Sequence, residues 1–280
     1  MELKDSLLPV SMENWADLQN LFKCDWPRGI SAYTILETQR NWKNQGHDYG
    51  FKVFCPFGDG SNGMVAFNEK DTFYEIVVQC PSDNTKKLEE ALKETKLVDW
   101  NRNIIIPFAP RHVIECIKNV VNDVNVEIDL ILPSESFIYG KDKPIFDVSL
   151  PPDVTFGLLS VEHTELVDST WPHRYPGSIW YNRLLISTKS GYGLFNNHEL
   201  MSWAYINEAG TLGHVFTLEK YRRRGNAELL LKIICNKLLE EGKDIFAFCV
   251  KGNKVACNLY KKIGFDTYDC GVAWCYLRPK

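Results

Sequence analysis

The chain has almost no surplus charge: its 280 residues carry 32 Lys and Arg against 36 Asp and Glu, a formal net charge of -4. That balance leaves no global basic field for nucleic acid or an anionic membrane surface, so any anion site must be local. No apolar run approaches the roughly 20 residues needed to cross a bilayer. The start, Met-Glu-Leu-Lys-Asp-Ser-Leu-Leu-Pro, has no cationic stretch followed by an apolar core and is acidic and poor in Arg. No secretory or mitochondrial leader is therefore expected. The nine cysteines include no Cys-x-x-Cys pair and fall mostly inside apolar stretches, as Cys235 and Cys249 do. They read as buried free thiols in a reducing compartment, which makes a cytoplasmic address the expectation. No His/Cys/Asp spacing points to a metal, and no Gly-x-Ser-x-Gly elbow points to a serine nucleophile.

What is present suits two small domains. The length matches a prior of about 150 residues per domain, and 45% hydrophobic residues is ordinary for a globular chain with ample core. Lys141-Asp142-Lys143-Pro144 and Pro151-Pro152 interrupt the apolar pattern, placing a boundary near Gly140 to Pro152. A faint repeat links the halves. Leu8 to Pro27 can be laid on Leu159 to Pro172, each an extended apolar piece, a Ser- or Asn-capped helix and a Trp-Pro turn. The first copy continues with strands near Phe51 to Pro56, Gly63 to Asn68 and Thr72 to Cys80, then an amphipathic helix, Asn84 to Glu94. A strand at Ile104 to Pro107, a helix at Arg111 to Val121 and a strand at Val126 to Leu132 follow. The second copy offers strands at Val154 to Ser160, Tyr192 to Phe195, Met201 to Ile206, Leu212 to Leu218 and Ile245 to Val250. Strands alternating with helices imply a mixed sheet with helices on both faces.

Chemistry concentrates between His214 and Phe265. The apolar run Leu212 to Leu218 gives way to the basic turn Arg222-Arg223-Arg224, then Gly225, then helical sequence from Ala227 to Glu241. A helix start presents unpaired backbone N–H groups and partial positive charge, Gly permits close backbone approach, and the arginines add formal charge. A pyrophosphate suits this cradle, although an exposed basic turn before a surface helix would read the same way from this motif alone. After the strand Ile245 to Val250 the chain reads Asn253-x-x-Ala256-x-x-Leu259-Tyr260-x-x-Ile263-Gly264-Phe265, a helical spacing closed by glycine.

Together these segments resemble the GNAT superfamily of acyl-CoA-dependent N-acyltransferases. Arg222, Gly225 and Ala227 fall on its Arg/Gln-x-x-Gly-x-Gly/Ala pyrophosphate motif, and Asn253, Ala256, Leu259, Tyr260, Gly264 and Phe265 on its pantetheine helix. Leu159, Glu165-Leu166-Val167, Trp171 and Thr217 to Arg222 are most similar to glycine N-acyltransferase-like proteins. The resemblance implies an α/β fold of two tandem GNAT-like domains, residues 1–146 and 147–280, each a mixed sheet flanked by helices. The N-terminal copy is expected to be degenerate, because Pro81 to Thr85 puts neither glycine nor cation where the second copy has its arginine turn.

The resemblance also assigns expected roles. Acyl-CoA, with acetyl-CoA the simplest case, would be the co-substrate and a small amine or amino acid the acceptor, with no metal. Arg222, Arg223, Arg224, Gly225, Asn226 and Ala227 would take the pyrophosphate. Asn253 and Ala256 would line the pantetheine, backbone groups of Val215, Phe216 and Thr217 would face the acyl end, and Tyr260 would protonate the departing sulfur. Glycine N-acyltransferases carry a glutamate just after the glycine at the head of the strand before the arginine turn, and Thr211 stands there here. His173, in the Trp171-Pro172-His173 loop, and Glu208, in a turn, are the candidate bases, with surface or packing roles as their alternatives. On strand alternation His214 lies on the opposite pleat from Thr211. A protein that binds acyl-CoA without turnover is the rival reading.

Overall fold

The computed structural model describes residues 4–72 and 74–280. The opening Met-Glu-Leu, and Phe73 within the strand expected at Thr72 to Cys80, lie outside the described residues. Two compact units emerge, one made of the chain up to Ser134 together with Asp269–Lys280, the other of Glu135–Tyr268.

In the first unit the order is β1 (Leu7–Pro9), α1 (Trp15–Lys23), α2 (Ile30–Asn44), β2 (Lys52–Pro56), β3 (Met64–Phe67), β4 (Ile76–Gln79), α3 (Lys86–Glu94), β5 (Ile104–Ala109), α4 (Arg111–Val120) and the start of β6 (Val126–Tyr139). Strands β1 to β4 form an antiparallel sheet in sequence order. On α3 the buried residues are Leu88, Ala91 and Leu92, and on α4 Val113, Ile114, Cys116, Ile117 and Val120. That helical periodicity turns one apolar stripe from each helix into a core shared with Val78, Ile104 and Ile106.

The second unit repeats this order with β7 (Val154–Leu158), α5 (Thr164–Thr170), α6 (Ser178–Ser187), β8 (Gly191–Asn196), β9 (Glu199–Ile206), β10 (Leu212–Thr217), α7 (Asn226–Glu240), β11 (Ile245–Val250), α8 (Lys254–Ile263) and β12 (Asp266–Tyr268). Its antiparallel sheet runs β7-β8-β9-β10, the same order as in the first unit. Between β8 and β9 the chain reverses through Asn197 and His198, both at positive φ, the pair of left-handed residues a tight hairpin requires. Helix α7 buries Leu230, Leu231, Ile234, Cys235, Leu238 and Leu239, a stripe at three- and four-residue spacing. Each large side chain in it contributes about 1.5–3 kcal/mol by leaving water.

The final strand, β13 (Ala273–Pro279), departs from the sequence-based boundary. It pairs antiparallel with β5 on one side and with Val126–Pro133 of β6 on the other, and so completes the first unit. Strand β6 is also longer than the Val126 to Leu132 expected. Its last turn of chain belongs to the second unit, where Ser136, Phe137 and Ile138 pair with β12. The alternation of Phe137 and Tyr139 continues the strand, and both are buried in one core with Tyr260 of α8 and Phe265, which lies just before β12.

Candidate active site

Strand β10 ends where Ser202 Oγ donates to the Phe216 carbonyl at 2.8 Å. One 3-10 turn, Glu219–Tyr221, then carries the chain to Arg222. Arg222 is extended, Arg223 has φ 60°, and Gly225 has φ 79° as the residue preceding the 15-residue α7. A Cβ added to Gly225 would meet nothing within 4 Å, so it is the left-handed backbone, not crowding by the protein, that calls for glycine. The side chain of Arg222 lies back over the Phe216 ring at 5.2 Å and its Nε donates to the Thr217 carbonyl at 2.9 Å. Arg222, Arg223 and Arg224 are exposed, and none forms an ion pair among the described residues. Nearby lysines differ. Lys220 pairs with Glu199 at 2.5 Å, while Lys232 and Lys262 pair with Glu228 at 2.8 and 2.6 Å. The carboxylate in the first turn of α7 is thus neutralised, leaving the arginine charge for a guest anion. Asn226 spends its amide on the Tyr221 carbonyl at 2.9 Å, and Ala227 is half-buried in the first turn of α7.

Strands β10 and β11 lie side by side but belong to different ladders. Helix α8 follows the second of these strands. Asn253 caps the helix, its Oδ1 accepting from the Ala256 N–H at 3.2 Å, and Gly264 at φ 102° ends it. A local cap therefore uses one side of the Asn253 amide. Ala256 is half-buried on the same turn. Tyr260 is 3% exposed, stacks on Phe137 with ring centroids 5.5 Å apart, and donates its hydroxyl to the Leu212 carbonyl at 3.3 Å. Burial pushes its phenol well above the ordinary tyrosine range, which keeps the hydroxyl a donor at any physiological pH.

The pairing of β10 with β9 slips between Gly213 and Phe216. Three steps on β10 span two on β9, the mark of a β-bulge, and His214 within it has φ 52°. Phe216 and Thr217 are back in register with Trp203 and Ser202, so His214 and Val215 are the residues the ladder leaves out. The bulge corrects the expectation from strand alternation. The His214 ring packs on Tyr205, the cross-strand partner of Gly213, and so shares the face that alternation gives to Thr211. Thr211 itself is 5% exposed, its N–H held by Asn207 Oδ1 at 3.1 Å.

Around the bulge stands an aromatic group. Trp171 lies 4.2 Å from the His214 ring centroid, Tyr205 5.3 Å and Tyr181 6.2 Å. A buried carboxylate fixes this arrangement: Asp168 accepts from Ser178 Oγ at 2.5 Å, Asn182 Nδ2 at 3.0 Å and Arg174 Nε at 3.0 Å, tying the Trp171-Pro172 turn to α6. Glu208 is 2% exposed and accepts the Tyr181 hydroxyl. His173 is exposed, 6.4 Å from Trp171, outside the group that Glu208 and Tyr181 join. Sequence reasoning overlooked Tyr181 as a partner of Glu208. No spacing rule links residues 27 positions apart on a helix and a loop.

The corresponding turn of the first unit is built differently. At Pro81 to Thr85 the structure adds a cation that the sequence did not reveal, Arg28, yet Arg28 is committed to Asp25 and to Asp83 of that very turn. A carboxylate stands where the second unit offers arginines.

A family model described as FR47-like protein matches residues 191–274, which contain the bulge, the arginine turn and α8. This match and the likenesses that follow support a GNAT superfamily assignment. Human glycine N-acyltransferase-like protein 2 is 24% identical over 213 residues, 71% of each chain. Among solved structures, a Drosophila protein superposes with a TM-score of 0.83 at 20% identity, covering 99% of both chains. A tandem GNAT protein from the clavulanic acid biosynthesis pathway gives 0.56 at 10% identity over 97% of both. A GCN5-related N-acetyltransferase from Sphaerobacter thermophilus gives 0.57 at 10% identity, over 99% of this chain and 96% of that one. These likenesses show the fold, mixed sheets and helices that fit two GNAT-like units in tandem.

Proposed function

We propose that the chain transfers an acyl group, acetyl or larger, from an acyl-CoA to the amine of a small molecule or amino acid, by direct attack within a ternary complex. The single observation that carries this reading is the joining of two features in one unit. An arginine-rich left-handed turn opens a long helix, and a buried phenol bonds the strand that leads into that turn. Arg222, Arg223, Arg224, Gly225, Asn226 and Ala227 would hold the pyrophosphate, with helix N–H groups supplying the hydrogen bonds. Asn253 and Ala256 would border the pantetheine. The backbone from the end of the bulge onward, Val215 to Thr217, would donate to the thioester carbonyl as charge develops on its oxygen. Tyr260 would exchange the Leu212 carbonyl for the departing sulfur and protonate it. Of the two bases suggested by sequence, Glu208 has the burial and the Tyr181 contact that a tuned carboxylate needs, whereas His173 would have to act from an exposed loop.

Two observations favour the rival, an acyl-CoA-binding protein without turnover: Thr211 supplies no carboxylate, and Tyr260 already has a backbone partner. Both readings require coenzyme binding. Calorimetry with coenzyme A tests that shared requirement, and thiol release over a panel of acyl-CoAs and amines separates them. Coenzyme binding with no thiol release for any pair would favour the silent reading, and absence of coenzyme binding would remove both.

A further inference from the structure

With Thr211 at the head of β10, the acceptor's proton needs another taker. On a flat strand Leu212, His214 and Phe216 would share a face. The bulge divides them. Leu212 and Val215 join the core that contains Tyr260, while His214 turns to the opposite face of the strand, against Trp171, Tyr181 and Tyr205. It does so at φ 52°, a backbone conformation that a residue bearing a Cβ seldom keeps unless the surroundings enforce it. The residue is half-buried, with its Nδ1 shut off from solvent, so the ring is held in place. Tyr260 reaches the strand from one face at Leu212, and His214 projects from the other two residues further on.

We propose that His214 accepts the proton from the attacking amine, an assignment that rests on the transferase reading above. The amine nitrogen bonds to the thioester carbonyl carbon, the carbon–sulfur bond breaks, His214 takes a proton from the nitrogen, and Tyr260 gives its proton to the sulfur. Solvent returns the imidazolium proton to the phenolate, so both side chains end as they began and the products are an amide and a thiol. Imidazole suits the task because it exchanges protons near neutrality. The groups facing it are Tyr181 from α6, with Glu208 behind its hydroxyl, Tyr205 from β9, and Trp171 after α5, with His173 beside that indole. Tyr181 and Glu208 then act as positioning residues for the ring, which gives Glu208 a part in the reaction without contact with the acceptor.

The test uses the full chain with His214→Asn and His214→Gly, both compatible with a left-handed backbone. For His214→Asn the expected result is unchanged coenzyme affinity and a kcat/KM lower by about 10²- to 10⁴-fold. Its pH profile should lack the acidic limb expected of the parent if His214 must be neutral to act. Added imidazole should restore part of the rate to His214→Gly, which a purely structural histidine would not allow. Parental kcat/KM with the acidic limb intact overturns the assignment while leaving the transferase reading standing. So does loss of coenzyme affinity in step with rate and without imidazole rescue. If the parent chain binds coenzyme and acylates no amine, the transferase reading fails first and this assignment with it.

Discussion

The left-handed turn at Gly225 allows its contribution to be worked out before measurement. Because a Cβ there would touch no protein atom, substitution should cost only what the backbone charges for φ 79°. For a residue with a Cβ that is about 1–2 kcal/mol. At 1.4 kcal/mol per decade, Gly225→Ala should weaken coenzyme A binding by about five- to thirty-fold if the bound turn must keep this conformation. Gly225→Val should lose more, since a β-branched side chain fits the left-handed region worst, and Gly225→Asn should lose least, since Asn tolerates it. Titration calorimetry with coenzyme A reads the affinities, and melting temperatures within a few degrees of the parent would confirm that the exposed turn leaves the fold alone. The ranking Asn, Ala, Val is the signature of a conformational cause. If Asn proves as damaging as Val, the side chain is colliding with the ligand instead. Parental affinity in all three would mean that the turn holds no phosphate.

Tyr260→Phe keeps the ring between Phe137 and Phe265 and deletes the bond to the Leu212 carbonyl. Thiol-release kinetics should show a kcat loss of about 10²- to 10⁴-fold, smaller with acyl donors whose thiol leaves easily, and calorimetry little change in coenzyme affinity. In the first unit, Glu75→Ala would remove the carboxylate that pairs with the buried Lys70 ammonium, whose Nζ lies 3.1 Å from Glu75 Oε1. Urea unfolding should register a loss of about 3–5 kcal/mol. His112 is also pH-informative: burial lowers its pKa below the usual 6.5, only partly opposed by its bond to the Cys80 carbonyl at 3.0 Å. The unfolded chain then binds the proton more readily, so stability should fall as pH drops below about 6.5, and His112→Gln should flatten that slope in thermal melts. Finally, a chain starting at residue 147 would lack Phe137 and Tyr139 and leave β13 without its partners β5 and β6. It should fail to give a cooperative melt, whereas intact folding of that fragment would refute the pairing described for β13.

Local patterns made the turn before α7 legible, because its elements are neighbours in sequence: an apolar strand, arginines, glycine, a helix. The capped helix Asn253 to Gly264 was readable for the same reason, as was the six-residue stripe of α7. Helices α2 and α6 were not foreseen. Their buried faces mix Gln39 and Ser31, or Ser178 and Asn182, with the apolar residues, so the stripe that betrays a helix is interrupted by groups buried in hydrogen-bond networks. The β-bulge was hidden too, since a register slip depends on the partner strand, and one inserted residue reverses the face of His214. The destination of β13 could not be seen either: Ala273, Cys275 and Leu277 announce a half-buried strand but not which unit buries it.

That last strand has a consequence for how the protein can be made and how it can change. Because Asp269–Lys280 completes the unit that begins the chain, a ribosome would release the first copy with one strand position still vacant. That copy can close only after the second unit has been synthesised. Its hydrophobic ladder must wait, shielded or at risk, for the tail to arrive. The same strand makes the duplication hard to undo: deleting either half of the gene leaves the other with a missing or an orphaned strand. A first copy without an arginine turn would thus be retained for a reason unrelated to catalysis.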